Sequence, residues 1–310
     1  MNTVSAVVVP IFATVALGFG LARVGLFSRE NGVGLTRFMF YLAIPAMLFR
    51  GLVKAELPAQ VPWAYLAAFY LPSLAVFWLA LALAQGALGW TRREAGMAGM
   101  SACYANIVLL GLPLCQAAFG ERGHLPLFIL MATQSILLFP LATYALEIYG
   151  QQRAGQALFY ARAVARLLVN PVIVALLLGF IVNLGALTLP TVVSRLLDLL
   201  GAAGPGCALV ALGINLAQYP LGGGWRDVAV LVILKNIMCP LGVWGCAKAL
   251  GVAPAWSLIA VLMAAMPVGL NTFIFASQYQ VRQDTVAKTI VVSTLVSMVV
   301  VTVLLVWHPP

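Results

Sequence analysis

The sequence predicts an all-α membrane protein whose ten transmembrane helices form two inverted five-helix repeats. Three observations predict this fold: the apolar composition, ten apolar segments of membrane-spanning length, and a similarity between the two halves of the chain. Of the 310 residues, 63% are hydrophobic and only 8% are charged. A soluble domain has about a quarter of its residues charged. This composition cannot cover a surface in water, but it is suited to lipid.

The apolar residues fall into ten segments joined by short connections. A helix of about 20 apolar residues crosses the hydrocarbon core of a bilayer. The segments lie near 4–24, 34–53, 62–88, 94–119, 124–148, 166–184, 190–216, 226–250, 255–279 and 285–307. The first segment has no basic region before it, so we expect a transmembrane helix there rather than a cleaved signal peptide.

The two halves of the chain share a spacing of proline and glycine. Pro10 precedes Gly18 by the same number of residues as Pro171 precedes Gly179, and a phenylalanine follows each glycine. Five helices per half means that the second half enters the membrane from the opposite side, as in many secondary transporters. The first repeat is predicted at 1–150, a cytoplasmic linker at 151–165 and the second repeat at 166–310.

The basic residues set the expected orientation. The chain has 17 Lys and Arg against 8 Asp and Glu, and the basic residues stand singly in short loops, which does not indicate nucleic acid binding. Eleven lie on one side of the predicted helices: Arg23, Arg29, Arg37, Arg92, Arg93, Arg153, Arg162, Arg166, Arg226, Arg282 and Lys288. Four lie on the other: Arg50, Lys54, Arg122 and Lys248. The positive-inside rule places the first set in the cytoplasm and both termini outside.

Two predicted helices, the fourth and the ninth, are interrupted at equivalent positions in the two halves. Each has an asparagine, a glycine and a proline close together near mid-membrane: Asn106, Gly111 and Pro113, and Pro267, Gly269 and Asn271. Proline removes an amide donor, and a half-helix that begins at a break presents free N–H groups to an anion. We predict that these six residues bind the substrate. The alternative is that they only pack or bond neighbouring helices, as such residues often do.

Further polar residues lie inside predicted helices. Gln134, Ser135, Lys235 and Ser293 are predicted to line the cavity, although such side chains more often bond helix to helix. Lys235 has two interpretations, since it would either attract an anion or satisfy carbonyls at a break.

Other ionisable residues give little sign of an ion site. Arg195 and Asp198 share a helix face and are expected to pair. The sequence has no pair of mid-membrane carboxylates, so a coupling ion would depend on neutral oxygens and backbone carbonyls.

The two asparagine motifs resemble those of the auxin efflux carrier family, which includes bacterial malonate transporters and plant PIN-type carriers. Asn106-x4-Gly111-Leu112-Pro113 resembles its fourth-helix motif, and Pro267-x3-Asn271 the matching C-terminal motif. The resemblance implies a fold related to bile acid–sodium symporters, with the fourth and ninth helices crossing at their breaks. It also implies a scaffold domain of helices 1, 2, 6 and 7, an elevator-type transport domain of helices 3–5 and 8–10, and a bacterial inner membrane location.

The expected function is secondary transport of a small organic anion, a carboxylate, by alternating access. The alternative is a sodium- or proton-coupled symporter for a larger amphipathic anion. An enzyme is not expected, because His124 and His308 are the only histidines and no hydrolase or metal motif is present. A channel would favour a repeated filter loop, which is not seen. We expect no cofactor; the partners are the anion and membrane lipid, with a homodimer left open.

Overall fold

A computed structural model describes residues 4–57, 61–148, 170–219 and 224–308. Within these ranges every regular element is a helix, which confirms the all-α prediction. The predicted linker at 151–165 lies outside the described residues, as do Arg153, Arg162 and Arg166.

Fifteen α-helices, numbered here in chain order, account for most of the described chain. They are α1 Val9–Arg23, α2 Arg29–Phe38, α3 Ile44–Lys54, α4 Trp63–Gly86, α5 Arg92–Cys103, α6 Leu112–Phe119, α7 His124–Ile148, α8 Pro171–Leu184, α9 Thr191–Ala202, α10 Gly204–Ala217, α11 Trp225–Ile233, α12 Cys239–Ala249, α13 Pro254–Ala265, α14 Leu270–Tyr279 and α15 Gln283–Trp307. Four π-helical turns, at Val4–Val8, Met39–Ala43, Ile107–Gly111 and Leu234–Met238, adjoin or join these helices. Proline is the second residue after each of the four turns, where it interrupts regular hydrogen bonding.

Seven helical runs in the described residues are long and apolar enough to cross a membrane. They are Ala6–Arg23, Arg29–Lys54, Trp63–Gly86, Ile107–Leu146, Thr191–Ala217, Trp225–Ala249 and Gln283–Trp307. Pro171–Leu184 and Pro254–Ala265 are apolar but shorter. The membrane class is therefore confirmed, whereas the number of ten transmembrane helices stays a prediction.

The chain divides into two compact units, and each unit draws on both halves of the sequence. The first unit comprises Met1–Gln60, Val108–Thr133 and Ala161–Gln218. The second comprises Val61–Ile107, Gln134–Tyr160 and Tyr219–Pro310.

In the first unit, helices α1 and α10 pack so closely that their backbones are in contact. Helix α1 packs against α10, and a Cβ added at Gly18 would meet the backbone carbonyl of Val210. In return, a Cβ at Gly213 would meet the backbone of α1 at Val15. Small residues let helix backbones approach in this way, which is how helices associate where lipid offers no hydrophobic force between them.

An ion pair in the first unit differs from the expected one. Asp198 of α9 accepts a hydrogen bond from Nε of Arg50 in α3, at 3.0 Å. The predicted pairing of Asp198 with Arg195 is therefore wrong. The reason is that α9 packs against α3, which brings a cation from another helix to the carboxylate.

In the second unit, an ionic cluster joins three parts of the chain that are distant in sequence. Arg282, between α14 and α15, bonds Glu94 in the first turn of α5 at 2.8 Å. It also lies 3.8 Å from Asp227 at the start of α11. Asp227 accepts a further bond from the indole of Trp90 at 2.9 Å, and the Arg282 guanidinium lies over that indole. The cluster fixes the ends of three helices to one another.

The packing of α1 against α10 predicts that Gly18→Ala destabilises the protein. The new methyl group would strike the backbone of α10, and overpacking of this kind costs about 1–3 kcal/mol. Gly20→Ala is the matched control, because it lies on the same helix with nothing within 4 Å of the added Cβ. Thermal unfolding in detergent should show a lower midpoint for Gly18→Ala alone. Equal midpoints for the two variants would contradict the close packing.

Candidate functional site

Two helices of the second unit are broken, and their breaks meet. Helix α5 ends at Cys103, and the chain is extended over 104–106 before helical structure resumes. Helix α13 ends at Ala265, and the chain is extended near 267–269 before α14. Ala105 and Val268 form an isolated antiparallel bridge. The interruptions of the fourth and ninth segments therefore pair with each other, and we call this paired region the crossing.

Two backbone hydrogen bonds hold the crossing. The amide of Asn106 donates to the carbonyl of Pro267 at 2.8 Å, and the amide of Gly269 donates to the carbonyl of Tyr104 at 3.0 Å. Breaking a helix leaves backbone polar groups without intrahelical partners, and an unpaired group away from water is costly. Each break therefore supplies part of the hydrogen bonding that the other lacks.

Polar side chains from neighbouring helices satisfy the central residues of each break. Gln134 of α7 is 4% exposed. Its side chain donates to the carbonyl of Ala105 at 2.9 Å and accepts from the amide of the same residue at 3.2 Å. Ser293 of α15 accepts from the amide of Val268 at 3.0 Å. The structure thus gives Gln134 and Ser293 a supporting position at the backbone; their predicted cavity-lining role stays a prediction.

The start of α14 has the features of an anion site. Its N-cap residue, Gly269, provides no side-chain hydrogen bond to the first turn. The first amides of a helix have no intrahelical acceptor, and the helix dipole adds a partial positive charge there. Asn271 lies in this first turn and is half-buried. An anion at this end would find amide donors and the asparagine side chain together.

Tyr104 is the central residue that the sequence reasoning missed. Its hydroxyl accepts a hydrogen bond from the Asn271 side chain at 3.0 Å and shares another with Ser135 at 3.0 Å. Its ring stacks on Phe139 with 5.1 Å between centroids. A Cβ at Gly269 would lie 2.6 Å from this ring, so the glycine makes room for the tyrosine. The available signal was an aromatic residue directly before the Ala105-Asn106 pair.

The structure brings together four of the six predicted substrate-binding residues. Asn106, Pro267, Gly269 and Asn271 all belong to the crossing in the second unit; Asn106 is 5% exposed. The other two residues, Gly111 and Pro113, follow in the first unit. Gly111 ends a π-helical turn and Pro113 lies in the first turn of α6. The break thus comes before this Gly-Pro pair.

Lys235, another residue predicted to line the cavity, lies between α11 and α12, and its side chain reaches the end of α13. It is fully buried in a π-helical turn, and its ammonium donates to the carbonyl of Ala264. The sequence left open whether Lys235 attracts an anion or satisfies carbonyls at a break, and in the structure it bonds a carbonyl at the break. No group of three or more histidine, cysteine, aspartate or glutamate side chains suited to a metal ion occurs among the described residues.

The crossing of two broken apolar helices defines a class of membrane transport protein, and comparison with known proteins gives the family. A family model described as "Membrane transport protein" matches residues 3–305. The chain belongs to this family, which includes the auxin efflux carriers.

Three relatives show the range of the family. The chain is 30% identical to a "Putative malonate transporter" of Rhizobium meliloti, over 98% of this chain and 96% of that protein. It is 22% identical to auxin efflux carrier component 8 of Arabidopsis thaliana, over 94% and 93% of the two chains. It is 24% identical to an uncharacterized transporter of Methanothermobacter thermautotrophicus, over 94% of each.

The bidentate contact of Gln134 predicts a large effect for Gln134→Met. Methionine fills a similar volume but leaves the amide of Ala105 without its partner, at a cost of about 1–3 kcal/mol. The carbonyl of Ala105 keeps its second bond, from the amide of Ile107 at 2.9 Å. Thr289→Val is the control, because Thr289 is equally buried and its hydroxyl bonds a carbonyl of its own helix, that of Thr285. Thermal unfolding should separate the two variants. A midpoint for Gln134→Met equal to that of the control would contradict a supporting role.

Proposed function

We propose that this protein is a secondary carrier that moves a small organic anion, a carboxylate, across the membrane by alternating access. The observation that carries the proposal is the uncapped start of α14 at the crossing, with Asn271 in its first turn. The proposed substrate residues are Asn106, Gly111, Pro113, Pro267, Gly269 and Asn271. Gln134, Ser135, Lys235 and Ser293 support or line the site around them.

The chemistry of the crossing suits an anion better than a cation at this helix end. Amide protons of a first turn and an asparagine NH₂ are hydrogen-bond donors, and they bind a carboxylate without a buried fixed charge. A neutral site also fits a carrier, because binding must be weak enough for release on the other side. Charge-assisted bonds from several neutral donors are each worth about 1.5–3 kcal/mol.

The relatives support the same substrate class. One is named for malonate and several for auxin, and both compounds carry a carboxylate. For this chain we propose only what these two compounds have in common, a carboxylate on a small organic molecule.

The architecture that we propose has ten transmembrane helices in two inverted repeats. The first, second, sixth and seventh transmembrane segments would form the scaffold. The third to fifth and the eighth to tenth segments would form a transport domain of elevator type. The two compact units support this arrangement in part. Val108–Thr133, from the fourth and fifth segments, belongs to the first unit rather than to the second. The charge distribution supports both termini outside, and the location that we propose is the inner membrane of a bacterium.

Loss of either asparagine amide is expected to weaken substrate binding. Asn106→Ala and Asn271→Ala should each reduce affinity for the transported carboxylate by about 1.5–3 kcal/mol, because one charge-assisted hydrogen bond is lost. Gln278→Ala is the control, since Gln278 is an exposed amide further along α14. Uptake by proteoliposomes should be measured with a panel of mono- and dicarboxylates and one larger amphipathic anion. Unchanged affinity in both asparagine variants would refute the site.

Counterflow in the same liposomes distinguishes a carrier from a channel. Preloaded unlabelled substrate should accelerate uptake of labelled substrate, which a pore does not do. Preference for the amphipathic anion over every small carboxylate would favour the alternative function of a bile acid type symporter.

The break in the ninth segment is expected to be required for transport. Pro267→Ala allows α13 and α14 to join, since proline costs a continuous helix about 3 kcal/mol relative to alanine. We expect Pro267→Ala to lose uptake while its thermal midpoint holds or rises. Pro72→Ala is the comparison, because Pro72 lies inside the continuous helix α4 rather than at a break and should affect uptake less. Full uptake by Pro267→Ala would show that the broken helix is not the site.

A further inference from the structure

The helix α14, whose start carries the proposed anion site, is tied to α5 at both of its ends. At its start, the amide of Gly269 donates to the carbonyl of Tyr104, the residue directly after α5. The hydroxyl of the same tyrosine accepts from the side chain of Asn271 at 3.0 Å. At the opposite end, Arg93 in the first turn of α5 donates to the carbonyl of Tyr279, the last residue of α14, at 3.2 Å. The two helices are therefore antiparallel and meet at both ends.

The lengths of the two helices allow both ties at once. Helix α14 has 10 residues and α5 has 12. At a rise of about 1.5 Å per residue, they extend about 15 Å and about 18 Å. A short helix moves as a rigid rod, because its backbone groups are bonded from turn to turn. A shift at the far end of α14 is therefore carried to its start.

An ion pair strengthens the tie at the far end. Glu94, in the first turn of α5, uses Oε2 to cap its own helix, where this oxygen accepts from the amide and the hydroxyl of Thr91 at 2.8 and 2.9 Å. Its other oxygen, Oε1, accepts from Nε of Arg282, in the loop after α14, at 2.8 Å. Nη2 of Arg282 also lies 3.4 Å from Oε2. A carboxylate that meets an arginine through two nitrogens is held in a fixed geometry.

The loop that carries Arg282 has a backbone conformation that its residues disfavour. Gln280 and Arg282 have φ angles of 55° and 47°, in the left-handed region that is uncommon for residues with a side chain. Such conformations persist where surrounding contacts hold them. Here the amide of Val281 donates to the carbonyl of Ala276 at 2.9 Å, and the carboxylate of Glu94 holds the guanidinium. Loss of the ion pair should therefore let this loop relax and free the far end of α14.

We propose that Arg282 and Glu94 are positioning residues for the anion site. Their pair holds the far end of α14 so that its first turn stays against Tyr104. Neither side chain lies at the crossing; both act through α14, along about 15 Å of helix. The effect on substrate binding rests on the proposed transport function, whereas the tie between α5 and α14 does not.

Glu94→Gln tests the tie without any substrate. Glutamine keeps a capping oxygen for Thr91 and places an NH₂ group opposite Arg282, so the ion pair is lost. Hydrogen exchange of the purified protein, followed by mass spectrometry, should be faster at the crossing, where the amides of Gly269 and Asn106 are bonded. We expect exchange there to accelerate about threefold to tenfold. Arg282→Gln should have the same effect.

Asp198→Asn is the matched control, because it breaks an ion pair of similar length, 3.0 Å, with Arg50 in the first unit. Exchange at the crossing should keep its wild-type rate in this variant. Arg282→Lys keeps the charge but not the contact through two nitrogens, and it should also exchange faster than the wild type if the glutamine variants do not fold. Wild-type exchange at the crossing in Glu94→Gln, or faster exchange in the loop after α14 alone, would overturn the proposal.

Carboxylate uptake by proteoliposomes tests the step from the tie to the substrate. Arg282→Gln should raise KM about threefold to tenfold while the maximal rate changes little, because binding is impaired rather than movement. In the Asn271→Ala background, the same substitution should hardly raise KM further. Substitutions this far apart usually have additive effects. An additive effect on KM would therefore show that Arg282 does not act through the start of α14.

The two measurements separate the positioning role from the proposed function. If the wild type takes up no carboxylate, the proposed function fails, and the exchange rates still decide whether the ion pair holds the crossing. If uptake is confirmed while exchange in Glu94→Gln equals that of the wild type, the positioning role fails alone.

Discussion

The antiparallel pairing of two broken helices is the interaction on which the functional region depends. In a membrane, a helix can be interrupted only where its freed amides and carbonyls find partners within the protein. The Ala105–Val268 bridge and its two flanking hydrogen bonds supply those partners. Each break is the condition for the other. The ends of α5, α13 and α14 that result lie beside one another in the second unit.

Several buried polar side chains around the crossing form hydrogen bonds with the backbone groups that are left free at these helix ends. Gln134 completes the backbone of one break, Ser293 that of the other, and Lys235 with Asn236 covers the carbonyl end of α13. The start of α14 has no side-chain cap. The first turn of α14 thus keeps amide donors for a ligand beside the crossing, and this is the structural argument for the proposed anion site.

Tyr104 connects the compensation to the proposed substrate site. Its carbonyl accepts a hydrogen bond from the amide of Gly269, and its hydroxyl accepts one from the side chain of Asn271. Its ring lies where a side chain at position 269 would be, so that position must be a glycine. Substrate binding to Asn271 would compete with the tyrosine hydroxyl for the same amide. In the proposed site, Tyr104 therefore lies between the Asn271 amide and the backbone of the crossing.

The sequence by itself determined the class of protein, the positions of the apolar segments and the two segments that are broken. These properties follow from composition and from local proline and glycine chemistry, which need no knowledge of neighbours. The asparagine motifs, read against a known family, also gave the family correctly. The place of the first break was less well determined: the structure has it at 104–106, before Gly111 and Pro113, because pairing with residues near 268 selects which bonds open.

The tertiary structure alone decided which polar side chains meet which backbone groups. Nothing local distinguishes Gln134 as a partner of Ala105 or Lys235 as a partner of Ala264, since each pair is far apart in the sequence and joined only by helix packing. The same holds for Asp198, which pairs with Arg50 of another helix rather than with Arg195 on its own. In an apolar chain many helices offer similar faces, so the few polar contacts are fixed by which helices become neighbours.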